Sequence, residues 1–532
     1  MKDNISKKVA SNLLWRLMER FGAQFVTFVV SIVLARLLDP TIYGVVALLT
    51  VFITILQVFV DSGLGTALIQ KKDADQLDFS TVFYTNIVYC VILYTGLFFL
   101  SPLIANFYDN PDLTPLIRVL GITILISGVK NIEQAYVSRH MMFKKFFWAT
   151  LVGTLISAVV GIVMAINGLG PWALIVQSLT NVFIDTVVLW IIVKWRPTRE
   201  FSLQRLKQLY KFGWKLLASA LLDTGYNELR QLVIGKRYSS EQLAYYNKGR
   251  QFPNLLATNI NNSIDSVLLP TMSSEQEHKE RVRSMTRRAL KTSVFIMAPM
   301  MVGIAAIGDN FIMLLLGEKW MDCVFFMRIF CITYIFYPVH TANLNAMKAM
   351  GRSDYFLILE VTKKVIGIAS ILITMWISVE AIAWSLLVTT ALSMFINAFP
   401  NKKLLNYSYF DQMKDILPAV LIAGVMGVGV YFIQYIPSPH YLLTMFVQII
   451  VGIVFYFLVC RLLKLESYFY VRNMVFEFVN TKMIYKKRNN IAVTKHKQKN
   501  DEGSTTVKNT SIVEDVGNSK VANCTKEDQI KK

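Results

Sequence analysis

The stretch TVFITILQVFVD, residues 50–61, and the stretch NLLATNINNSID, residues 254–265, carry polar side chains at matching positions of two apolar segments. In each stretch these residues are spaced i, i+4, i+7 and i+11, which places them on one face of an α-helix. They are Thr50, Thr54, Gln57 and Asp61 in the first row, and Asn254, Thr258, Asn261 and Asp265 in the second. Because polar groups cost free energy in hydrocarbon, each row should face protein or a water-filled cavity. A repeated row predicts a cavity between two related helix bundles, which is typical of transporters.

The composition is that of a chain embedded in a membrane. Of the 532 residues, 54% are hydrophobic and only 17% charged, and the mean hydropathy is +0.45. A soluble domain has about 45–50% apolar and about 25% charged residues. The formal net charge of +20 comes mainly from predicted loops and the tail. It therefore indicates membrane topology and anionic partners, and we expect no nucleic-acid partner.

Fourteen segments are long and apolar enough to span a bilayer, which requires about 20 residues each. They cover residues 12–38, 42–66, 81–106, 114–138, 147–167, 171–195, 209–234, 243–270, 289–316, 321–347, 354–377, 379–400, 416–436 and 441–463. The predicted fold is an all-α integral membrane protein with two six-helix bundles, formed by an internal repeat, and two additional C-terminal helices.

This map divides the chain into four regions. We assign residues 1–200 to an N-terminal six-helix bundle, residues 201–403 to a C-terminal six-helix bundle and residues 404–463 to two additional transmembrane helices. Residues 464–532 are expected to form a cytoplasmic amphipathic segment, up to about residue 485, followed by a disordered basic tail.

The charges of the loops predict the orientation. If the N-terminus is cytoplasmic, almost all loop Lys and Arg residues fall on the inner side, and only Lys236, Arg237 and Lys319 fall on the outer side. This asymmetry is the one that the positive-inside rule requires. We therefore predict a multi-pass protein with both termini in the cytoplasm.

The sequence contains no convincing enzyme or metal-binding motif. The five cysteines form no C-x-x-C pair, the five histidines show no ligand spacing, and no phosphate-binding loop occurs. Asp73-Ala74-Asp75 has the D-x-D form with which glycosyltransferases hold a metal and a sugar nucleotide, but no nucleotide-binding domain surrounds it. We expect a protein that is not an enzyme and has no cofactor, driven by an ion gradient or the membrane potential.

Three runs carry a family resemblance: LARLLDPTIYG at 34–44, DSGLGTALIQ at 61–70 and GLGPWA at 168–173. They resemble polysaccharide transporters of the multidrug/oligosaccharidyl-lipid/polysaccharide flippase superfamily. Within it, the chain looks most like Wzx-type flippases that export O-antigen, capsule, colanic-acid-like or teichuronic-acid-like repeat units. The resemblance covers about residues 8–463.

The resemblance implies a function and partners. The protein would move an undecaprenyl-diphosphate-linked oligosaccharide from the inner to the outer leaflet of the bacterial cytoplasmic membrane by alternating access. Its partners would be this lipid-linked oligosaccharide, the surrounding membrane lipids, and a polysaccharide polymerase with its chain-length partner.

Polar residues within the predicted helices are the candidates for substrate binding. A diphosphate requires cations, which Arg provides bidentately and Lys as a point charge, and a glycan requires amide and hydroxyl partners. The candidates are Arg16, Arg20, Gln24, Gln57, Asp61, Lys130, Gln134, Lys215, Asp223, Asn227, Arg230, Arg250, Asn254, Asn261, Asp265, Asn345 and Lys348.

Several candidates also have a purely structural interpretation. Arg16 and Arg20 could extend to lipid phosphates at the inner surface. Lys130 could form an ion pair with Glu133, three residues further along the helix. Asp61 and Asp265 could have a capping role or bind a coupling ion. The other polar residues of the rows could form interhelical hydrogen bonds.

Two other function classes compete with the flippase. A multidrug exporter of the same superfamily would favour a more acidic and aromatic cavity than the many Arg and Lys residues here suggest. A membrane polymerase or ligase of lipid-linked glycans would require a sizeable outer loop with catalytic groups, whereas every predicted outer loop is short.

Overall fold

A computed structural model describes residues 22, 24–61, 64–436, 440–474 and 476–477. Regular secondary structure in the described residues is entirely helical. The chain divides into two compact units after Ser467, and the first unit contains every helix named below. Of the predicted amphipathic segment, residues 466–474 and 476–477 are helical. The remainder of that segment and the predicted disordered tail lie outside the described residues.

The helices follow one another through both halves of the chain. The first half contains α1 (Gln24–Leu37), α2 (Pro40–Asp61), α3 (Leu64–Gln70), α4 (Gln76–Phe107), α5 (Leu113–Arg139), α6 (Phe143–Ile166) and α7 (Pro171–Ile192). The second half contains α8 (Leu203–Arg237), α9 (Ser240–Ser274), α10 (Lys279–Ala306), α11 (Gly308–Leu315), α12 (Cys323–Ile335), α13 (Tyr337–Ala349), α14 (Ser353–Thr374) and α15 (Val379–Leu405). The last two are α16 (Tyr409–Phe432) and α17 (Tyr441–Leu462).

The predicted all-helical membrane fold is confirmed in outline. A helix, or a pair of consecutive helices, lies on each predicted segment, and ten of these are long and apolar enough to cross a membrane. The other four predicted segments are 12–38, 209–234, 243–270 and 354–377. They lie on α1, of which the structure describes Gln24–Leu37, and on α8, α9 and α14, and these helices do not meet that criterion. The count of fourteen membrane-spanning helices therefore stays a prediction.

Two of the predicted segments are broken in the structure. Residues 321–347 form α12 and α13, which are separated at Phe336, two residues before Pro338. This break has a physical cause, because a proline lacks the N–H that a helix interior requires. The segment predicted at 289–316 begins earlier, at Lys279, and is divided into α10 and α11. The basic residues between 279 and 288, which the sequence analysis left between two predicted segments, are thus helical. Two of them form ion pairs, Arg281 with Glu275 (2.8 Å) and Arg287 with Asp415 (2.8 Å).

The division into two bundles stays a prediction, and we call the helices α1 to α7 the first bundle and α8 to α15 the second. In the first, α4 packs on α5, α6 on α7 and α5 on α7, with α2 against α5. The turn before α7 depends on glycine, since Gly168 and Gly170 have φ angles of +73° and +54°. Pro171 then begins the helix, where its missing N–H costs nothing.

The second bundle packs α9 on α12 and α13, α10 on α12 and α14 on α15, and α16 joins it through α10. Two contacts connect the bundles. Helix α2 packs along α9, and α8 packs on α2, α3 and α4 as well as on α9 and α14. The two rows of polar residues therefore lie on the pair of helices at which the bundles meet.

Candidate functional site

The two polar rows end in equivalent hydrogen bonds. In the first bundle Asn131 Nδ2 of α5 donates to Asp61 Oδ1 over 2.9 Å. In the second, Asn345 Nδ2 of α13 donates to Asp265 Oδ1 over 2.8 Å. Each pair connects a row to the predicted fourth segment of its own half, so the internal repeat extends to individual contacts. These bonds fasten each row within its own bundle.

The rest of the first row is also bonded locally. Gln57 Nε2 donates to Asp61 Oδ1 over 3.0 Å, and Thr50 Oγ1 donates to the carbonyl oxygen of Val46 over 2.7 Å. In the second row Thr258 Oγ1 donates to Asn254 Oδ1 over 3.4 Å. Asn261 differs, because its Oδ1 is buried without a hydrogen-bond partner.

Lys130, the candidate cation of the first bundle, forms an ion pair, but not with the acidic residue that was predicted. Lys130 Nζ lies 2.5 Å from Asp185 Oδ2 of α7, so the predicted ion pair with Glu133 is wrong. The Lys130 side chain reaches the neighbouring helix, whereas Glu133, only 1% exposed, has Arg196 at 3.5 Å as its nearest cation. Gln24 and Gln134 are half-buried, and Arg16 and Arg20 lie outside the described residues.

The second bundle brings together two arginines and three tyrosines, which we call the arginine cluster: Tyr226 and Arg230 of α8, Tyr246 and Arg250 of α9, and Tyr334 of α12. The Arg230 guanidinium lies over the Tyr226 ring, 5.7 Å from its centroid. Arg250 interacts electrostatically with Tyr334, Tyr246 and Glu228.

Arg230 has unsatisfied donors. Its side chain is only 5% exposed, and neither Nε nor Nη2 has a hydrogen-bond partner among the residues that the structure describes. A buried guanidinium with unpaired N–H groups costs several kcal/mol, so such a group marks a place where an anion would be strongly stabilised. The arrangement is suited to binding a phosphate or carboxylate.

The sequence indicated both arginines but missed the tyrosines. Tyr226 and Tyr246 each precede their arginine by four residues, so each pair lies on one helix face. That spacing was the signal that could have identified them. Tyr334 comes from a different helix, and no local spacing relates it to the arginines.

The remaining candidates lie elsewhere. Asp223 accepts a hydrogen bond from Asn227 Nδ2 at 3.2 Å and pairs with Lys364 of α14 at 3.1 Å. Lys215 is exposed on α8, and Lys348 is exposed with its Nζ 4.8 Å from the centroid of the Phe356 ring.

The two bundles touch at the end predicted to face outward, in a region that we call the outer contact. Lys248 of α9, 6% exposed, donates from Nζ to Ser31 Oγ of α1 over 2.9 Å. Trp320 Nε1 donates to the carbonyl oxygen of Ala35 over 2.8 Å. A Cβ on Gly44 of α2 would lie 1.6 Å from the carbonyl oxygen of Ser240, so the two backbones touch. The outer contact therefore closes the space between the bundles at this end.

The D-x-D run has a structural role at the opposite end. Asp75 Oδ1 accepts a hydrogen bond from the backbone N–H of Asp78 over 3.0 Å and caps α4, and Asp75 Oδ2 pairs with Arg205 at 2.9 Å. The Asp78 N–H, and then Arg205, hold the pKa of Asp75 below its usual range. Arg205 also pairs with Asp78 at 3.1 Å and so fastens the start of α8 to the first bundle.

Known proteins share both sequence and fold with this chain. It is 24% identical to the teichuronic acid biosynthesis protein TuaB of Bacillus subtilis, over 70% of this chain and 78% of that protein. It is 23% identical to the lipopolysaccharide biosynthesis protein WzxC of Escherichia coli, over 64% of this chain and 70% of that protein. The structure of the lipid II flippase MurJ in an inward closed conformation has a TM-score of 0.69, with 15% identity, and covers 87% of this chain and 100% of that one.

A match to a family model shows which protein family the chain belongs to. The model described as polysaccharide biosynthesis protein matches residues 33–325, which is more than half of the chain. The matched region contains α2 to α11 entirely and reaches into α12, so it includes both polar rows, the outer contact except Ser31, and four of the five residues of the arginine cluster. The chain belongs to the polysaccharide biosynthesis protein family and, with it, to the multidrug/oligosaccharidyl-lipid/polysaccharide flippase superfamily.

Proposed function

We propose that this protein moves undecaprenyl-diphosphate-linked oligosaccharide repeat units across the bacterial cytoplasmic membrane for the synthesis of a surface polysaccharide. The observation that carries the proposal is Arg230, a buried cation with unpaired N–H groups inside a membrane bundle. The relatives named for teichuronic acid and lipopolysaccharide biosynthesis support the same pathway class.

The arginine cluster matches a diphosphate in charge. Two guanidinium groups, with the single carboxyl group of Glu228 beside Arg250, leave net positive charge for a headgroup with at least two negative charges. Charge-assisted hydrogen bonds are about twice as strong as neutral ones. By contrast, Lys130 of the first bundle is already paired with Asp185. We therefore place the diphosphate in the second bundle, next to Arg230 and Arg250.

The same bundle offers partners for sugars. The Oδ1 atoms of Asn261 and Asn345 are buried without hydrogen-bond partners, and each can accept from a glycan hydroxyl. The exposed side chains of Asp223 and Asn227 line α8 between its inner end and Arg230. Together these groups suit a headgroup that combines a diphosphate with a hydrophilic glycan.

Alternating access follows from where the contacts lie. The hydrogen bonds of Asp61 and Asp265, and the ion pair of Lys130, each stay within one bundle, so they do not oppose a movement between the bundles. Arg205 holds the start of α8 to the first bundle at the inner end. The outer contact is the place at which the bundles must separate to release substrate outward. No covalent step is required, and both termini would lie in the cytoplasm, as the loop charges predict.

Reconstitution tests the proposal directly. We expect the purified protein, inserted into liposomes, to move a fluorescent polyprenyl-diphosphate oligosaccharide between leaflets, measured as the fraction of label that a membrane-impermeant quencher cannot reach. Protein-free liposomes and the variant Arg230→Gln are the controls, and neither should move the label. Transport of lipophilic cations without transport of the glycan lipid would contradict the proposal and favour a multidrug exporter.

Gly367 of α14 provides a second test, because it makes room for the arginine cluster. A Cβ at Gly367 would lie 1.9 Å from the Tyr226 hydroxyl oxygen, so Gly367→Ala must displace the ring over which Arg230 lies. We expect Gly367→Ala to reduce transport about tenfold or more, since small displacements of positioning groups are costly. The measurement is the liposome assay, normalised to protein amount.

Two further variants distinguish displacement of the Tyr226 ring from a general loss of folding. Gly424→Ala on α16 is the matched control, because a Cβ there meets nothing within 4 Å and alanine favours a helix. In a Tyr226→Ala background, Gly367→Ala should cause no further loss, since the displaced ring is absent. A full additional loss in that background would show that Gly367 acts independently of Tyr226.

A further inference from the structure

A row of three lysines begins at the inner end of α8. Lys207, Lys211 and Lys215 are spaced by four residues, and polar residues at the same spacing continue the row towards the arginine cluster. In order, the row consists of Lys207, Lys211, Lys215, Ser219, Asp223, Asn227 and, three residues on, Arg230. Every member is exposed except Arg230, which is buried.

The length of the row matches the depth of the membrane. At 1.5 Å per residue, the distance from Lys207 to Arg230 along α8 is about 35 Å, slightly more than the hydrocarbon core of about 30 Å. Each step of four residues turns the row by about 40° around the axis of α8, so the row winds around the helix. Exposed polar groups over this length would be costly against lipid tails, so they should line a water-filled path that follows this turn. The path leads from the predicted inner surface to the arginine cluster.

The charges of the three lysines are uncompensated. Among the described residues, no ion pair or hydrogen bond involves the ammonium group of Lys207, Lys211 or Lys215. Two other basic residues at the same end have partners: Lys71 pairs with Asp78 at 2.6 Å, and Arg139 Nη1 donates to the carbonyl oxygen of Leu68 over 2.8 Å. The lysine row thus presents free positive charge on a helix that contacts both bundles.

The neighbours of the row fix its position. Leu206 and Leu209 pack into the apolar core of the first bundle, and Arg205 is held by Asp75 and Asp78. The start of α8 is therefore fastened on one side, and the lysines follow on the exposed side. Further along α8, Asp223 pairs with Lys364 of the second bundle, so the polar row passes from one bundle to the other.

We propose that Lys207, Lys211 and Lys215 form a capture row for the diphosphate of the lipid-linked glycan. This inference rests on the proposed function and assigns the row to the first step, before the headgroup reaches Arg230. Lysine suits capture, because its strongly hydrated point charge attracts an anion over distance without a fixed geometry. Arginine suits the final site, where bidentate bonds hold the anion. The row sets the association rate and the arginine cluster sets the dissociation rate.

The kinetics of binding test this division. The full-length protein is placed in nanodiscs of zwitterionic lipid, and fluorescent farnesyl diphosphate is the probe in stopped-flow measurements at low and physiological ionic strength. We expect the triple variant Lys207→Gln/Lys211→Gln/Lys215→Gln to associate about tenfold more slowly at low salt and to lose most of its salt dependence. Its dissociation rate should stay that of the unmodified protein, whereas Arg230→Gln should dissociate faster.

A matched triple variant controls for overall charge. Lys402→Gln/Lys403→Gln/Lys414→Gln removes the same charge from exposed lysines at the same predicted membrane side and should change the association rate less than twofold. Lys→Arg at the three row positions keeps the charge and should keep the rate. Equal slowing in both glutamine triples, or in neither, overturns the capture row.

Added anionic lipid distinguishes the substrate from membrane phosphates. If phosphatidylglycerol in the nanodisc slows the unmodified protein to the rate of the row variant, the lysines bind lipid headgroups and the capture row is overturned. If the difference between the two proteins persists, the row acts on the diphosphate. Failure of the unmodified protein to bind the probe at all would instead contradict the proposed function.

Discussion

Replacing Arg230 by Gln should abolish surface polysaccharide export while the amount of protein in the membrane stays normal. The variant lacks at least two charge-assisted hydrogen bonds that the guanidinium would donate to the diphosphate. Each is worth about 1.5–3 kcal/mol, so binding should weaken by at least about a hundredfold. Export is measured as surface glycan in cells that lack the native protein, and protein amount by immunoblotting of membranes.

Arg237→Gln is the matched control on the same helix. Arg237 is exposed seven residues further along α8, and its guanidinium stacks 4.1 Å from the centroid of the Trp376 ring, away from the arginine cluster. This variant should export normally. Arg230→Lys separates charge from geometry, since it should restore export partly if a point charge suffices. Normal export by Arg230→Gln would place the diphosphate elsewhere.

Arg230→Gln should not destabilise the substrate-free protein. Arg230 is a buried charge with two unpaired nitrogen atoms, and removing an uncompensated buried charge is neutral or stabilising. We therefore expect the melting temperature of substrate-free Arg230→Gln to be equal to or higher than that of the unmodified protein. A loss of export together with higher stability would be typical of a residue retained for binding.

Sequence patterns were sufficient for the all-helical fold and for the two polar rows. The row from Thr50 to Asp61 and the row from Asn254 to Asp265 could be found because helical spacing is local. Their equivalent partners, Asn131 and Asn345, could not be assigned from one sequence, since the register between helices depends on packing. Nor could the division of segment 321–347 into two helices, although Pro338 was a local signal for it.

Contacts between side chains on different helices could not be predicted from the sequence. Lys130 has Glu133 three residues away in the sequence, yet it pairs with Asp185, more than fifty residues further along the chain. A helix face offers several positions to a long side chain, and tertiary packing decides among them. Lys248 was missed for a similar reason: a lone lysine in a predicted membrane segment gives no indication that the opposite bundle provides Ser31 as its partner.

The outer contact has consequences for the order of steps. Its contacts include hydrogen bonds from Lys248 and Trp320 and the close backbone approach of Gly44 to Ser240. Arg250 lies two residues along α9 from Lys248, so the arginine cluster is next to the closed end. A diphosphate that reaches the cluster is therefore close to the contact that must open for its release.

Gly44→Ala should hold the outer contact open and prevent transport. The new Cβ would lie 1.6 Å from the carbonyl oxygen of Ser240 and 2.3 Å from its carbonyl carbon, and helix backbone cannot yield as a flexible side chain does. Overpacking of this kind costs about 1–3 kcal/mol, which shifts the equilibrium between closed and open forms by a factor of about 5 to 150.

The shift can be measured by the accessibility of Ser31, which the outer contact covers. In a cysteine-free background, Ser31→Cys should react slowly with a membrane-impermeant maleimide applied from outside, and Gly44→Ala should accelerate that reaction. Gly96→Ala on α4 is the matched control, because a Cβ there meets nothing within 4 Å, and it should change neither labelling nor export. If Gly44→Ala exports normally and leaves Ser31→Cys slow to react, the touching backbones at Gly44 and Ser240 do not limit the motion between the bundles, and the barrier to outward release lies elsewhere.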